Sequence, residues 1–451
     1  MRSKFSVAVA AIALTVLASC AGGETQKPVK VAEVRFPVYS LFGGALTAEG
    51  GSGVPDKNDA MAMINYQERM YVEAAYNFNK LNPDIKVVID TLDWNDEQTP
   101  FSSPLPLLEG DSPTDIVRIH FNYDYDRIAA ESPELLYDLA SMHDATGATI
   151  PSEYIEWAKK DGKLLMLPNH LYPTALAYNK DVFDRAQVPY PEGEMTWAQF
   201  ADVARKINGA GTGARALGEY PFYFFTKMLG ETGRSLLSSD GKTTVGYLDG
   251  EAAIDAVGSL KDIVNAAVDV QRSASGFFAP GNVAFGIGGI NVATSGDAKD
   301  GARVGIVSMP YAEGTVRTVD VSYGGYAISG KSRHPEAAWA FIKYLAIDAN
   351  EDSLKINQDR VPASAAIADG VRLGASPELA FYLDEAKHAA IIGNDAKFYE
   401  AWTRELEERF NTILTADDDE ISERLHKLAL EVDEKLAEAE KSAANPTKTA
   451  E

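Results

Sequence analysis

The chain has 451 residues, with 42 Lys and Arg against 66 Asp and Glu, and a net charge of −24 at pH 7. Such acidity argues against nucleic acid as a binding partner, because its binding depends on basic contacts to phosphate. It also argues against attachment to anionic lipid surfaces. The length and the 45% content of hydrophobic residues predict two or more domains with full apolar cores.

The N-terminal segment has the pattern of a secretory signal peptide. Arg2 and Lys4 supply positive charge, an uncharged apolar run follows, and small residues lead up to Cys20. The apolar run is too short to cross a bilayer, which takes about 20 residues. A buried N-terminal helix is the alternative, but such helices are seldom apolar on every side. We therefore predict a signal peptide at 1–19 and a polar tether at 20–28.

Cys20 is the only cysteine in the chain. The residues Leu-Ala-Ser-Cys at 17–20 resemble the bacterial lipobox, in which cleavage before the cysteine leaves its thiol to carry lipid. Lipid supplies membrane affinity of about 0.8 kcal/mol per buried methylene group. We therefore predict a lipid anchor at Cys20, in the cell envelope and facing the periplasm or the cell exterior. No other cysteine remains for disulfides, metal binding or nucleophilic catalysis.

Strand and helix patterns alternate along the rest of the chain. Apolar residues at every second position indicate strands, and apolar residues with a period of 3.6 indicate helices. Thr196 and Gln199 have the spacing of a capping box at a helix start. In chain order, the predicted elements are a strand at 29–38, a helix at 61–81, strands at 85–92, 115–121, 164–167 and 175–178, helices at 196–207 and 251–266, strands at 283–287, 303–309 and 323–328, a helix at 335–345 and mainly helices over 377–439. This alternation predicts an α/β fold.

Several blocks of the sequence occur in the order in which one known family has them. They are Phe-Asn-Lys-Leu-Asn-Pro-Asp-Ile-Lys-Val at 78–87, Pro-Thr-Asp-Ile-Val at 113–117, the segment 162–168 followed by Ala-Tyr-Asn-Lys-Asp-Val-Phe at 177–183, Thr-Trp-Ala-Gln-Phe at 196–200, and Gly-Gly-Tyr-Ala-Ile-Ser at 324–329 followed by His-Pro-Glu-Ala-Ala-Trp at 334–339. With these blocks the chain resembles the extracellular solute-binding proteins of ABC importers, in the sugar-binding cluster that includes the maltose-binding proteins.

The resemblance implies a two-lobed periplasmic-binding-protein fold, type II-like, with a hinge and a ligand in the cleft between two α/β lobes. The chain is then expected to cross between lobes near 172–174 and to return near 322–326. The predicted division is lobe 1 from 29–172 and 326–358, lobe 2 from 173–325 and 360–445, and a disordered tail at 446–451.

The sequence departs from the family's pattern in two places, which affect the ligand more than the fold. The first predicted strand ends at Tyr39 without the family's usual polar-aromatic pair, and a glycine-rich insertion follows it. The family's tryptophan within 286–292 is absent, and Ile290 and Asn291 stand in its place.

The function that the resemblance implies is reversible capture of a carbohydrate and its delivery to an ABC permease. The ATPase of such an import system is expected to be a separate protein. We expect a monomer without catalytic activity, cofactor or metal. The alternatives are a binding protein for a polyol, a sugar phosphate or an amino-acid derivative, and a surface glycosidase or esterase.

Carbohydrates stack their C–H faces on aromatic rings and bond their hydroxyls to a few oriented polar groups. We therefore expect ligand contacts at strand ends and lobe crossings. The candidate residues are Tyr39, Trp94, His120, Asn122, Tyr123, Asn169, His170, Tyr172, Tyr223, Asn291, Gly324, Gly325, Tyr326 and Arg360. Structural roles remain alternatives for some of them: Trp94 as a surface cap, Arg360 in a surface salt bridge, and the two glycines as places where neighbouring strands rather than a ligand approach closely.

Patterns for metal binding, phosphate binding and hydrolysis are weak. The histidines are scattered, and no pair has the i, i+4 spacing of a helical zinc site, although His120 and His170 meet in the cleft in one alternative. A phosphate needs several arginines, and only Arg118, Arg127 and Arg360 lie near suitable segments. No pair of carboxylates is singled out for glycoside hydrolysis.

Overall fold

The computed structural model describes a set of segments separated by gaps. The predicted signal peptide, the Cys20 anchor, the tether and the C-terminal tail lie outside these segments, as do Trp94 and Asn291. No helix within them combines the length and apolar character needed to cross a bilayer. The described residues are 31–40, 66–93, 104–110, 114–146, 149–217, 221–264, 282–290, 303–391 and 396–444.

Strands and helices alternate through the described residues. The strands are β1 (Ala32–Ser40), β2 (Ile85–Asp93), β3 (Ile116–Ile119), β4 (Lys159–Lys160), β5 (Lys163–Leu164), β6 (Leu167–Pro173), β7 (Ala175–Asn179), β8 (Arg215–Leu217), β9 (Val283–Gly288), β10 (Val304–Ser308), β11 (Val319–Ile328), β12 (Val361–Pro362) and β13 (Ala389–Ala390). The helices are α1 (Tyr66–Leu81), α2 (Leu105–Glu109), α3 (Asn122–Glu131), α4 (Ala140–Asp144), α5 (Ser152–Ala158), α6 (Lys180–Ala186), α7 (Trp197–Gly209), α8 (Pro221–Glu231), α9 (Glu251–Ile263), α10 (Pro335–Ala346), α11 (Glu351–Ile356), α12 (Ala365–Arg372), α13 (Pro377–Glu385), α14 (Ala396–Ala401), α15 (Arg404–Ile413) and α16 (Ile421–Ala444).

Local sequence signals explain several of these boundaries. The predicted capping box at α7 is confirmed: the Gln199 amide N–H donates to the Thr196 hydroxyl at 3.3 Å, and the Thr196 N–H donates to the Gln199 side chain at 2.9 Å. Asn179 caps α6 by accepting from two backbone N–H groups. Proline begins α10 within its first turn, where its missing N–H costs nothing.

The first sheet contains β3, β11, β6, β12 and β13. β11 is its central strand, antiparallel to β3 on one side and to β6 on the other, with a bulge between Gly324 and Gly325. The parallel pair β1–β2 lies beside the first sheet. The Asp115 N–H donates to the Arg35 carbonyl at 3.2 Å and connects the two. The first core packs on these strands and includes Phe36, whose side chain is fully buried.

The second sheet has the strand order β10-β7-β9-β8 and carries the second core, which draws on α7, α8, α9, α15 and α16. β6 ends at Pro173 in the first sheet and β7 begins at Ala175 in the second sheet. The chain therefore changes sheets at Thr174, inside the interval expected from the resemblance. The Thr174 N–H donates to the Asp320 carbonyl at 2.9 Å, which ties this crossing to β11.

The return crossing differs from the prediction. β10 ends at Ser308 in the second sheet, and β11 begins at Val319 already paired within the first sheet. The return therefore lies within 309–318, and its predicted position near 322–326 is wrong. That position was inferred from the family resemblance alone, whereas β11 is already paired in the first sheet from Val319.

The membership of the two cores changes one predicted lobe boundary. Buried apolar side chains between Val361 and Ala386 pack in the first core rather than in the second. We therefore propose that lobe 1 includes 319–391 and that lobe 2 resumes at α14, which replaces the predicted start of that part of lobe 2 at residue 360. The other predicted lobe boundaries stay predictions.

Candidate functional site

Four neighbouring strands of the first sheet bring candidate residues together. His120 follows the last residue of β3, Gly324 lies in β11, His170 lies in β6, and Arg360 precedes β12. Register pairs Gly324 with His170, and His170 with Pro362. Residues far apart in the sequence thus form one row across the sheet, which we call the polar row (His120, Gly324, His170, Arg360).

Hydrogen bonds fix the orientation of His170 within the polar row. Its Nδ1 donates to the Asn169 side-chain oxygen, and its Nε2 accepts the Tyr172 hydroxyl at 2.7 Å. Burial lowers the pKa of His170 well below its usual value, and Arg360 adds to this effect. The imidazole is therefore neutral, and the Tyr172 oxygen keeps its lone pairs for an incoming donor.

His120 is also neutral in the folded protein. Burial, followed by the nearby charges of Arg118 and Arg360, lowers the pKa of His120 to about 3. Both imidazoles are thus neutral, and His170 uses both of its nitrogens within the protein, on Asn169 and Tyr172. Within the described residues, no group of three or more His, Cys, Asp and Glu side chains is placed to hold a metal ion.

His120 gives the first testable prediction, which concerns the pH dependence of stability. Because its folded pKa lies below the unfolded value of about 6.5, the unfolded state binds more protons between pH 6.5 and 3. Stability should fall as the pH drops through this window. His120→Asn should flatten that slope in urea unfolding at pH 7, 5.5 and 4, whereas His388→Asn, at an exposed position, should keep it. A wild-type slope in His120→Asn would contradict the prediction.

A buried ion pair supports the polar row through Tyr71. Arg118 on β3 donates two bonds to the Glu68 carboxylate, at 2.8 and 2.7 Å, and the Tyr39 N–H donates to the same carboxylate at 2.8 Å. Both charged side chains are almost fully buried, at 6% and 5% exposure. Burial disfavours the Arg118 cation, but Glu68 outweighs that effect and the pKa of Arg118 is raised.

Tyr71 lies between the ion pair and the polar row. The Arg118 guanidinium lies 4.7 Å from the centre of the Tyr71 ring, and Arg360 donates to the Tyr71 hydroxyl at 3.3 Å. Burial raises the pKa of Tyr71, but Arg360 and Arg118 outweigh it, so the net shift is downward. The Tyr326 hydroxyl donates to the same oxygen at 3.2 Å. Tyr71 therefore contacts both arginines and connects the ion pair to the polar row.

Three aromatic rings form the edge of the site, which we call the aromatic edge (Phe121, Tyr123, Tyr172). Phe121 and Tyr123 are stacked with ring centres 5.3 Å apart and planes within 10°, and Phe121 lies 5.3 Å from Tyr172. Tyr123 is 54% exposed, whereas Phe121 and Tyr172 are half-buried. Burial, although opposed by Arg360, raises the pKa of Tyr172 to about 12, so its hydroxyl stays protonated.

Other candidate residues lie behind the accessible surface. The side chains of Tyr39, Asn122 and Tyr326 are 4%, 1% and 1% exposed. The Asn122 side-chain oxygen accepts the Tyr323 N–H at 3.4 Å, and Tyr326 packs in the first core. We therefore propose that these three residues support the site, and direct ligand contact by them stays a prediction.

Protein atoms fill the space beside the two glycines of β11. A Cβ atom at Gly324 would lie 2.5 Å from the His120 carbonyl oxygen and 2.7 Å from the His170 ring. A Cβ at Gly325 would lie 2.2 Å from the Leu167 carbonyl oxygen. Close approach by neighbouring strands thus explains both residues, and this was the alternative considered for them.

Tyr223 lies away from the polar row, at the crossing between the sheets. It belongs to α8, and its hydroxyl donates to the Asp320 carboxylate at 3.2 Å. Burial, followed by Asp320, raises the pKa of Tyr223 well above its usual value. Nearby, Lys227 donates to the Thr318 carbonyl at 3.3 Å, so α8 contacts the start of β11.

Sequence reasoning missed three residues of the candidate site, Glu68, Tyr71 and Phe121, and also Asp320 at the crossing between the sheets. Phe121 was predicted as the last residue of the strand 115–121 and was not named as a ligand contact, although the residues on both sides of it were. Glu68 and Tyr71 lie on one face of α1, and nothing in the spacing of that helix indicates the partner Arg118, which is 50 residues away from Glu68.

A groove lies elsewhere, on the second core. It has a volume of about 740 Å³ and is lined by the end of α8, the loop after it and the start of α9. Its lining includes Tyr247, Arg234 and Asp255. This groove lacks the strand ends and neighbouring histidines of the polar row and the clustered rings of the aromatic edge, so we place the candidate site at the polar row and the aromatic edge.

The comparisons with known proteins agree with this architecture. Residues 64–351 match the family described as bacterial extracellular solute-binding protein. The arabinooligosaccharide-binding protein of Bacillus subtilis (strain 168) is 24% identical over 237 residues, which are 51% of this chain and 53% of that protein. The chain thus aligns with about half the length of this curated relative.

Solved structures with the same fold cover most of the chain. An ABC substrate-binding protein from Listeria monocytogenes in complex with cycloalternan has a TM-score of 0.60 at 19% identity, covering 91% of this chain and 99% of that chain. The cyclic α-maltosyl-1,6-maltose binding protein from Arthrobacter globiformis has a TM-score of 0.60 at 16% identity, covering 91% and 98%. These likenesses show the predicted two-lobed periplasmic-binding fold.

Proposed function

The chain belongs to the bacterial extracellular solute-binding proteins, and from this premise we propose that it captures a carbohydrate reversibly for an ABC import system. The observation that carries the proposal is the aromatic edge beside the polar row. Rings offer apolar faces to the C–H groups of a sugar, while the Tyr172 oxygen, held in place by His170, offers a partner to one of its hydroxyls.

The charges at the site favour a neutral ligand over a phosphate. Each arginine considered for phosphate binding has a carboxylate nearby: Arg118 with Glu68 at 2.7 Å, Arg127 with Asp124 at 3.7 Å, and Arg360 with the neighbouring Asp359 at 4.0 Å. An anion would compete with these carboxylates for the same cations. A neutral sugar does not compete with these carboxylates, because it needs only hydrogen bonds from guanidinium N–H groups.

The wider setting of the protein is part of the same proposal. The family is extracellular by its description, and the relatives' names support a sugar as the ligand. We propose that lipid on Cys20 holds the protein at the membrane, that a permease with a separate ATPase receives the ligand, and that the protein acts as a monomer without catalysing a reaction.

A ligand panel tests the proposed function directly. We expect maltose, maltotriose or arabinotriose to raise the melting temperature, while sorbitol and glucose 6-phosphate do not. At a concentration of a hundred times Kd, the ligand should add about 2.7 kcal/mol to the free energy of unfolding. Chromatography of the incubated sugar should recover it unchanged. Stabilisation by the phosphate alone would favour the sugar-phosphate alternative, and accumulating product would favour the glycosidase.

A further inference from the structure

We propose that the groove on the second core is a second carbohydrate site, separate from the polar row and weaker than it. We call it the α8–α9 groove, because the end of α8, the loop 232–250 and the start of α9 line it. The inference rests on the proposed function, since it assigns the same class of ligand to another part of the protein.

The loop of the α8–α9 groove is held in place by α16. The Thr244 side chain is fully buried, and its hydroxyl donates to the Asp433 carboxylate of α16 at 2.8 Å. The Thr244 N–H donates to the same carboxylate at 2.6 Å. Nearer to α9, the Asp249 carboxylate lies 2.6 Å from Nδ1 of His426 on α16. Two separate anchors therefore fix the loop, so the groove exists before a ligand arrives, as is usual for small-molecule sites.

Three exposed charged side chains line the α8–α9 groove and form no ion pair within the described residues: Arg234 in the loop, and Glu251 and Asp255 on α9. Glu251 and Asp255 lie one turn apart, where like charges repel each other. A phosphate would meet these two carboxylates, and an amine would meet Arg234. A hydroxyl group both donates and accepts, so neighbouring hydroxyls of a neutral saccharide can bond to all three side chains.

The apolar part of the groove suits the C–H faces of a saccharide. Tyr247 in the loop is 37% exposed and lines the groove, together with the buried residues Leu229 and Leu237. An aromatic ring beside a few polar groups is the combination that carbohydrates need, and the volume of about 740 Å³ is within the range of small-molecule sites. The groove offers one ring where the aromatic edge offers three, so we expect weaker binding here.

The length of α8 separates the α8–α9 groove from the crossing between the sheets. Tyr223 lies near the start of α8, at the crossing, whereas Leu229 and the groove lie at its end. A helix of 11 residues is about 16 Å long. We therefore expect the groove and the polar row to be filled independently, so that each chain binds two saccharide molecules.

Equilibrium dialysis of the full mature chain tests the proposal, with maltose, maltotriose or arabinotriose, whichever stabilises the wild type. The wild type should bind in two phases, the second at least about tenfold weaker than the first. Tyr247→Ala and Arg234→Ala should each weaken the second phase by about tenfold and leave the first within about twofold. Arg234 is exposed, so its variant tests the groove even where Tyr247→Ala fails to fold. Tyr172→Ala should weaken only the first phase, and Tyr76→Ala, on α1, should change neither.

Amide hydrogen exchange locates the second phase on the protein. A saccharide concentration that fills both sites should slow exchange in the loop 232–250 as well as around 169–173, and Tyr172→Ala should retain the slowing in the loop. A single phase with one saccharide per chain, or a second phase that neither groove variant changes, would overturn the inference while carbohydrate binding at the polar row stands. Slowing in the loop alone would instead contradict the proposed function at the polar row, and a wild type that binds none of the three sugars contradicts both.

Discussion

Glu68→Gln is expected to lower the free energy of unfolding by about 3–5 kcal/mol. The substitution leaves Arg118 charged and almost fully buried, at 6% exposure, without its carboxylate. Water cannot reach the guanidinium to replace that partner, so the desolvation cost is uncompensated. Urea unfolding followed by circular dichroism measures the change.

The matched control for this prediction is an ion pair on the surface. Glu423 pairs with Lys427 at 2.5 Å on α16, and their side chains are 71% and 66% exposed. Glu423→Gln should leave the free energy of unfolding nearly unchanged, because water screens the pair. If Glu68→Gln cost no more than Glu423→Gln, the Glu68–Arg118 bridge would not be the support of the site that we describe.

Tyr172→Ala is expected to weaken carbohydrate binding by about 30-fold or more, which corresponds to about 2 kcal/mol. The substitution removes a ring of the aromatic edge together with the hydroxyl that His170 orients at 2.7 Å. Tyr172→Phe keeps the ring and removes only the hydroxyl, so it should lose about 0.5–1.5 kcal/mol. Titration calorimetry with the stabilising sugar separates the two contributions.

An exposed tyrosine far from the site is the control for this series. Tyr76 on α1 is 39% exposed and lies beneath the Lys80 ammonium. Tyr76→Ala should leave affinity unchanged. Equal affinity of Tyr172→Ala and Tyr76→Ala would place the ligand elsewhere on the protein, and the groove lined by Tyr247 would then be the next location to test.

Local signals in the sequence predicted much of the secondary structure. The capping box of α7 and the proline at the start of α10 mark helix boundaries where the structure has them. Such signals lie within a few residues of each other, so they can be read from the sequence. The start of β11 could not be read in this way, since it depends on pairing with β6, about 150 residues earlier.

The site was predictable in composition but not in arrangement. His170 and Tyr172 were identified because polar and aromatic residues follow a predicted strand near a crossing. Their hydrogen bond and the neutral state of His170 depend on burial and on Arg360, which pattern alone does not reveal. The pairing of Glu68 with Arg118 depends on how α1 packs, and this is decided by the whole core.

The hydrogen bond between His170 and Tyr172 limits which atoms of a saccharide can lie beside the phenol. Its hydrogen is already committed to the imidazole, so the oxygen can only accept. Ring and glycosidic oxygens carry no hydrogen and cannot occupy that place. A saccharide chain that binds here as we propose must therefore place a free hydroxyl beside Tyr172, and this one oxygen would help to set the register of the chain.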